Sequence, residues 1–492
     1  MENKINSLVQ ELVFSSGDSS KSKQIHQLVR SGQLIKIAPR IYTSNKKDPP
    51  EEIIRRNIFS IIGVLYPGSL LSHRSAIEFQ PTSEGHLFLT YSYTKNIKLP
   101  GIIIHFFKGK GPIEGDYKVS GDLYASQLER AFLENLQTSR NSGEESKTID
   151  KEKLEERLEK LIVHRGEDGL NEFRDKAENI SKLLHLEKEF QKLDKIIGAL
   201  LSSRKSSVLT SPSAISRSLG MPYDSARIVL FEKLFAALMQ DEYPNYTDKN
   251  TSQEAFQNFA FFEAYFSNYI EGTEFEVVDA RKIIETNMPL PARDDDSHDI
   301  LGTYKIVSDI TEMSVTPESA EDFIHLLKKR HMTLLSARLS KNPGYFKEIN
   351  NRAGNTSFVD HTLVRGTLIK AFDFYNALYH PFAKAAYIMF IVSEIHPFID
   401  GNGRIARIMM NAELVKANHC RIIIPTVYRE DYLGVLRKLT RNGEPEPYIK
   451  MLQYAQYFSS TLIANNIDEM EKQLELSNAF KMYDEAKLKI IE

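Results

Sequence analysis

The sequence predicts a mainly α-helical protein: a helical C-terminal domain containing a β-hairpin, preceded by an α/β lobe that begins with a winged helix-turn-helix. Three observations carry this. From Thr251 onward apolar residues recur at helical spacing with few interruptions, whereas Leu34–Tyr42, His86–Tyr91 and Gly101–Phe107 read as short strands. A twelve-residue turn, His396 to Arg407, joins two apolar runs that read as buried helices.

Composition sets the outer bounds. The chain has 492 residues, 41% hydrophobic and 26% charged, with a formal net charge of −3. That length accommodates roughly two to four domains, each with its own core. The overall charge marks neither a nucleic-acid binder nor a membrane protein, although a local excess of one sign can still do so. A single cysteine, Cys420, excludes an internal disulfide framework and paired-cysteine metal sites. The first residues lack a basic segment followed by an apolar one, and no apolar run approaches the ~20 residues of a membrane span. A cytoplasmic protein without a membrane partner is therefore expected.

Residues 1–50 are expected to form the winged helix-turn-helix: a short helix, a second helix through Gln24–Val29, and a β-wing from Leu34 to Tyr42. From Ser19 to Lys47 there are seven Lys/Arg and no Asp or Glu, a pattern suited to phosphate contacts on DNA or to docking a protein. Residues 51–136 read as a small α/β unit, with a helix near Ile53–Leu65, two strands, and a helix over Asp122–Leu136. His73 and Arg74 lie in it without an obvious chemical partner and are read as structural. Residues 137–201 form a helical extension, with helices at Asp150–Ile162, Leu170–Leu184 and Glu187–Leu201. Residues 202–250, which open on a Ser- and Pro-rich stretch, are read as a linker region. A long helical domain spans 251–460 and a helical tail spans 461–492. Within the domain, helices are expected at Asp279–Thr286, Asp296–Glu312 and Ser319–Leu339, and a polar hairpin follows from Asn342 to Val359.

The turn carries the chemistry. A glycine-rich turn feeding a helix N-terminus aims backbone N–H groups and the positive end of the helix dipole at an anion, here through Gly401, Asn402 and Gly403. Arg404 and Arg407, three apart, share a helix face and suit one polyphosphate. Asp400 is a hard oxygen ligand placed for a phosphate-bound Mg²⁺. His396, at the end of the preceding helix, titrates near neutrality and suits a base.

These twelve residues resemble the motif of the Fic family, His-x-Phe-x-Asp/Glu-Gly-Asn-Gly-Arg-x-x-Arg, at every defined position. The resemblance implies a Fic-type helical catalytic domain that transfers AMP from ATP to a Ser, Thr or Tyr hydroxyl of a protein, another chain or itself. It implies His396 as the base, Asp400 as the Mg²⁺ ligand, and Gly401, Asn402 and Gly403 as the phosphate cradle. Arg404 and Arg407 would hold the outer phosphates and Phe398 would anchor the turn in the core. Gly403 stands where a phosphorylating branch of the family has lysine. Ahead of the domain core, Ser267-Asn268-Tyr269-Ile270-Glu271-Gly272 ends an aromatic-rich helix near 253–272 and resembles the family's inhibitory helix. By that likeness Glu271, with Ser267 and Gly272, would pair with Arg407 and displace a γ-phosphate. The family also places a target-docking edge strand in the 342–359 hairpin and a nucleobase pocket near Asp431–Leu436, where Tyr432 is the candidate stacking residue. Reverse hydrolysis of an AMP-modified target and use of another nucleotide both stay open. The N-terminal lobe resembles antitoxin-type regulators of abortive-infection systems, so the alternative is a DNA-binding regulator carrying a self-modifying or de-AMPylating Fic domain.

Overall fold

The structure is a computed structural model that describes residues 11–15, 19–201, 206–354 and 356–491. The chain divides after Ser218 into two units.

In the first unit, β1 (Leu12–Phe14), a helix at Ser19–Arg30, β2 (Ile35–Ala38) and β3 (Ile41–Thr43) make a three-stranded antiparallel sheet in the order β1-β3-β2. Ile25, Leu34 and Tyr42 close a small core beneath the helix. The β pair expected from Leu34 to Tyr42 is present as β2 and β3, together with a strand, β1, that the sequence did not announce. The first helix of the expected helix-turn-helix, ahead of Ser19, is not among residues 11–15; residues 1–10 and 16–18 lie outside the described residues.

The next helix, Pro50–Leu65, starts on a proline that suits its first turn and buries Ile53, Ile54, Ile58, Ile61 and Ile62. These isoleucines meet Leu87, Leu89, Ile104 and Phe106 of a six-stranded mixed sheet in one core. Its strands are β4 (Leu70–Leu71), β5 (His86–Tyr91), β6 (Lys95–Leu99), β7 (Ile102–Lys108), β8 (Tyr117–Ser120) and β9 (Leu123–Ala125), in the order β6-β7-β5-β4-β9-β8. The helix expected from Asp122 begins only at Leu128, because Leu123–Ala125 pairs parallel with Leu70–Leu71 in the sheet. His73 and Arg74 are structural as expected: His73 bonds Ser72 and Gln137, and Arg74 pairs with Glu78 at 2.8 Å. In the helical extension, the first two expected helices are one element, Lys151–Leu184, bent at Gly166, whose φ of 71° is outside the helical region.

The second unit corrects the linker reading of 202–250. Ser225–Gln240 is a helix capped by Asp224, whose side chain accepts from the Arg227 N–H, and it buries Leu230, Phe231, Leu234 and Leu238. That stripe packs on helices Val364–Ala377 and Pro381–Ile395. The expected Asp296–Glu312 helix is broken at Ser308, where Asp309 caps a new turn, Ile310–Met313. The following helix ends at Leu334, not Leu339. Helix Asp294–Val307 crosses Ala320–Leu334 so closely that a Cβ on Gly302 would lie 2.0 Å from the Leu334 carbonyl oxygen. Among the described residues after Thr461 the one helix is Ile467–Leu476; beyond it Phe480 stacks on Phe266 of the Gln253–Ile270 helix, ring centroids 5.2 Å apart.

At the centre, helices Pro381–Ile395 and Asn402–Lys416 pack along their lengths. Both are buried nearly all round, as their unbroken apolar runs require. Everything chemical hangs from the turn between them.

Candidate active site

The first central helix stops because His396 takes the left-handed conformation (φ 54°, ψ 60°) and Pro397 cannot continue the ladder. The turn that follows is locked by Asn402: its Oδ1 accepts from the Phe398 N–H at 2.8 Å and its Nδ2 donates to the Phe398 carbonyl at 2.9 Å. Gly401, at φ 74°, then caps the second helix. Asn402 is buried, so its side chain shapes the turn, and anion contacts there fall to backbone N–H groups. Phe398 is fully buried, as expected of an anchor, and lies flat on His331 with ring centroids 3.7 Å apart.

His396 is half-buried. Its Nδ1 donates to the Ser393 carbonyl at 3.2 Å, which leaves Nε2 as the basic nitrogen, and Phe358 of the hairpin covers its ring at 3.7 Å. Burial, assisted by Lys347, pushes its pKa down to about 4 against the opposite pull of Glu271 and Asp400. The imidazole is therefore neutral at physiological pH, the form a base needs.

Asp400 accepts from the Gly401 N–H at 2.6 Å and faces Lys341 at 3.3 Å and Arg404 at 3.5 Å. Burial raises its pKa, but Arg404, the Gly401 N–H and Lys341 together hold it below the usual carboxylate range. His331, which the sequence reading passed over, orients it: Nδ1 accepts from the Gly344 N–H (2.9 Å), so Nε2 donates to the Asp400 carbonyl (3.1 Å).

The two arginines part company. Arg407 donates from Nε to the Ser267 hydroxyl (3.0 Å), from Nη2 to the Ser267 carbonyl (2.8 Å) and to Glu271 (2.6 Å), and from Nη1 to the Tyr432 hydroxyl (3.4 Å). Ser267 and Glu271, one turn apart on the Gln253–Ile270 helix and its cap, thus grip one guanidinium. Burial works against the Glu271 carboxylate, yet Arg407, with Arg404 and His396 behind it, holds its pKa below the usual range. Gly272, at φ 95°, ends this segment. Arg404 is instead buried against Asp299 at 2.8 Å, with Asn268 at 3.4 Å. The same Asp299 holds Arg338 at 2.8 Å.

A cavity of about 440 Å³ opens beside this turn, lined by Glu271, Gly403, Arg407 and His396, by Phe358 from the flap, and by Tyr432 and Leu433. Of the residues expected to bind nucleotide, it takes in Gly403, Arg407 and Tyr432. The side chains of Asn402 and Arg404 are engaged in the turn and with Asp299. A Cβ on Gly403 would lie 2.2 Å from Glu271 Oε1, so the carboxylate rests directly on the glycine turn. The flap itself is a short antiparallel hairpin, Arg352–Ala353 with Thr356–Ser357.

No signal in the sequence marked Asp299, or Phe358 and Glu394 at the cavity wall, or the half-buried Arg227 that pairs with Glu394 at 2.8 Å. Their partners lie far along the chain. Among the described residues no group of three or more His, Cys, Asp or Glu is arranged to hold a metal, and no helix is long and apolar enough to cross a membrane.

A helical domain that closes a His-turn-Arg motif under a β-hairpin defines the class. Residues 321–414 match the family model described as Fic/DOC, and the chain carries a Fic/DOC domain. The chain is similar to the protein adenylyltransferase Fic of Drosophila willistoni, 29% identical over 240 residues covering 46% of each chain. It is also similar to that of Drosophila persimilis, 26% identical over 215 residues covering 39% of each. The match thus spans less than half the length of these relatives. Among solved structures, a Fic domain containing signaling protein from Bacteroides thetaiotaomicron aligns at 18% identity over 50% of this chain and 97% of that one, TM-score 0.37. Fic-1 from C. elegans aligns at 14% identity over 66% and 98%, TM-score 0.35.

Proposed function

We propose that the chain is a protein adenylyltransferase that moves AMP from ATP to a protein hydroxyl and is held down in cis by Glu271. The observation that carries this reading is the Glu271 carboxylate lying on the Gly403 turn, 2.6 Å from Arg407, inside the cavity that also holds His396. A carboxylate seated on an anion-binding turn and an arginine occupies the place of a phosphate.

In the transfer, His396 Nε2 takes the proton of the target hydroxyl, whose oxygen attacks the α-phosphorus as the bond to pyrophosphate breaks. Backbone N–H groups at the start of the Asn402–Lys416 helix face the charge that develops, and Arg407, once free of Glu271, holds an outer phosphate. Tyr432 forms part of the wall for the nucleoside. Asp400 fits a magnesium ligand: it is ionised, about a third exposed, and Mg²⁺ on a nucleotide needs only one or two protein carboxylates beside the phosphates. Bound there with ATP, Mg²⁺ would offset phosphate charge.

The test is labelling of lysate proteins by the Glu271→Gly chain, with α-labelled and γ-labelled ATP in parallel. Label is expected from the α position only. Label from γ would make the chain a kinase and overturn the reading.

A second reading concerns the N-terminal lobe. All seven basic residues between Ser19 and Lys47 are exposed, on the helix, the β pair and the loop after it, which supports phosphate contacts with DNA. Gel shift of the full chain on its own promoter should then weaken steeply with salt; binding indifferent to salt, or none, favours a protein-docking lobe.

A further inference from the structure

We infer that Phe358 is a positioning residue for His396, fixing the plane of the imidazole, and that Arg227 fixes Phe358. The inference rests on the proposed transfer at this same site.

A histidine ring turns about a broad torsion unless its surroundings stop it. Here the Ser393 carbonyl holds Nδ1 at 3.2 Å, and Phe358 lies parallel to the ring, 3.7 Å between centroids and 6° between planes. The hydrogen bond sets which nitrogen carries the proton, and the flat contact sets the direction in which Nε2 points. The strand before Phe358 is only two residues long, Thr356–Ser357, too short to hold a ring in place by itself.

Arg227 supplies the hold. Its Nη2 donates to the Ser357 carbonyl at 2.7 Å while its Nη1 pairs with Glu394 at 2.8 Å. Glu394 sits two residues before His396 and also accepts from the Thr440 hydroxyl at 2.7 Å. The flap and the histidine's helix are therefore joined twice, by the ring stack and by one guanidinium, in a closed circuit. A planar, multidentate arginine suits such a bridge as lysine does not.

The same stack covers one face of the imidazole. The charged groups that act on it are Lys347 from the flap side, Glu271 from the capping helix and Asp400 from the turn, and burial outweighs them in depressing its pKa. Removing the flat ring admits water, and the pKa then rises towards the ordinary value of ~6.5. Because the base must be neutral, the acid limb of the rate profile moves to higher pH.

The experiment uses the full chain with Glu271→Gly as parent, and compares Phe358→Leu, which keeps apolar bulk without a flat face, with Phe358→Tyr, which keeps the ring. Readouts are α-labelled AMP transfer at saturating ATP over about pH 5–8 and binding of a fluorescent ATP analogue. Phe358→Leu is expected to lose about 10–100-fold in transfer and to show a raised acid limb, with analogue affinity retained. Phe358→Tyr should restore both, and Arg227→Met should move both in the direction of Phe358→Leu. Equal transfer and equal acid limbs in the Leu and Tyr variants overturn the inference, as does a loss of transfer that merely tracks lost analogue binding. A parent that transfers nothing overturns the functional reading itself, and is distinguished by failing before any Phe358 variant is compared.

Discussion

Replacing Glu271 with glycine is expected to raise AMP transfer by about 10–100-fold, which is what releasing one charge-assisted hydrogen bond of ~1.5–3 kcal/mol from Arg407 is worth to phosphate binding. The structural reason is local. Glu271 Oε1 lies 2.6 Å from Arg407 Nη2 and rests on Gly403, whose missing Cβ leaves that seat open. Arg407 keeps its two bonds to Ser267 after the change, so it stays aimed at the cavity. The cap at the end of the Gln253–Ile270 helix tolerates the loss, because Glu271 contributes no bond to the helix beyond its backbone N–H. Labelling of lysate with α-labelled ATP measures the effect; a variant no more active than the parent chain would remove the inhibitory role. Glu271→Gln should fall between the two, since it keeps the shape and drops the charge.

The second large effect is the loss of the base. His396→Ala in the Glu271→Gly chain is expected to lower transfer by about 10²–10⁴-fold, the usual range for a positioned general base. His396 Nε2 is the basic nitrogen, since Nδ1 is committed to Ser393, and no second histidine lines the cavity. His331 is the nearest rival by sequence chemistry, but both its nitrogens are engaged, with Gly344 and the Asp400 carbonyl. ATP-analogue binding should persist, because Arg407, Gly403 and Tyr432 are untouched. Transfer by the double variant at the level of Glu271→Gly alone would falsify the assignment of His396.

Both variants probe residues that the sequence itself singled out, and the reason is physical. The turn is legible because most of what shapes it is local: an apolar run ended by Pro397, glycines at 401 and 403, and arginines set on the next helix. Ser267 and Glu271 were marked by resemblance to the family's inhibitory helix, and their four-residue spacing is consistent with one helix face. Their joint hold on Arg407, 136 positions away from Glu271, is visible only in three dimensions and was expected solely by family likeness.

Which side chains reach the cavity follows only from the folded chain. Arg404 and Arg407 look equivalent as a spaced pair, yet the fold brings Asp299 against the first and leaves the second at the cavity. The helix Ser225–Gln240 escaped notice because the Ser- and Pro-rich residues before it read as linker, while its buried stripe is short. With it went Arg227. Phe358, Glu394 and His331 were equally silent, because a ring stack or an ion pair between distant segments leaves no period and no motif in the chain. The helical scaffold and the outline of the turn are legible in the chain through periodicity and backbone preference. The folded chain decided the protonation state of His396, the partner of each arginine and the placement of the flap, because those depend on burial and on contacts between residues remote in sequence.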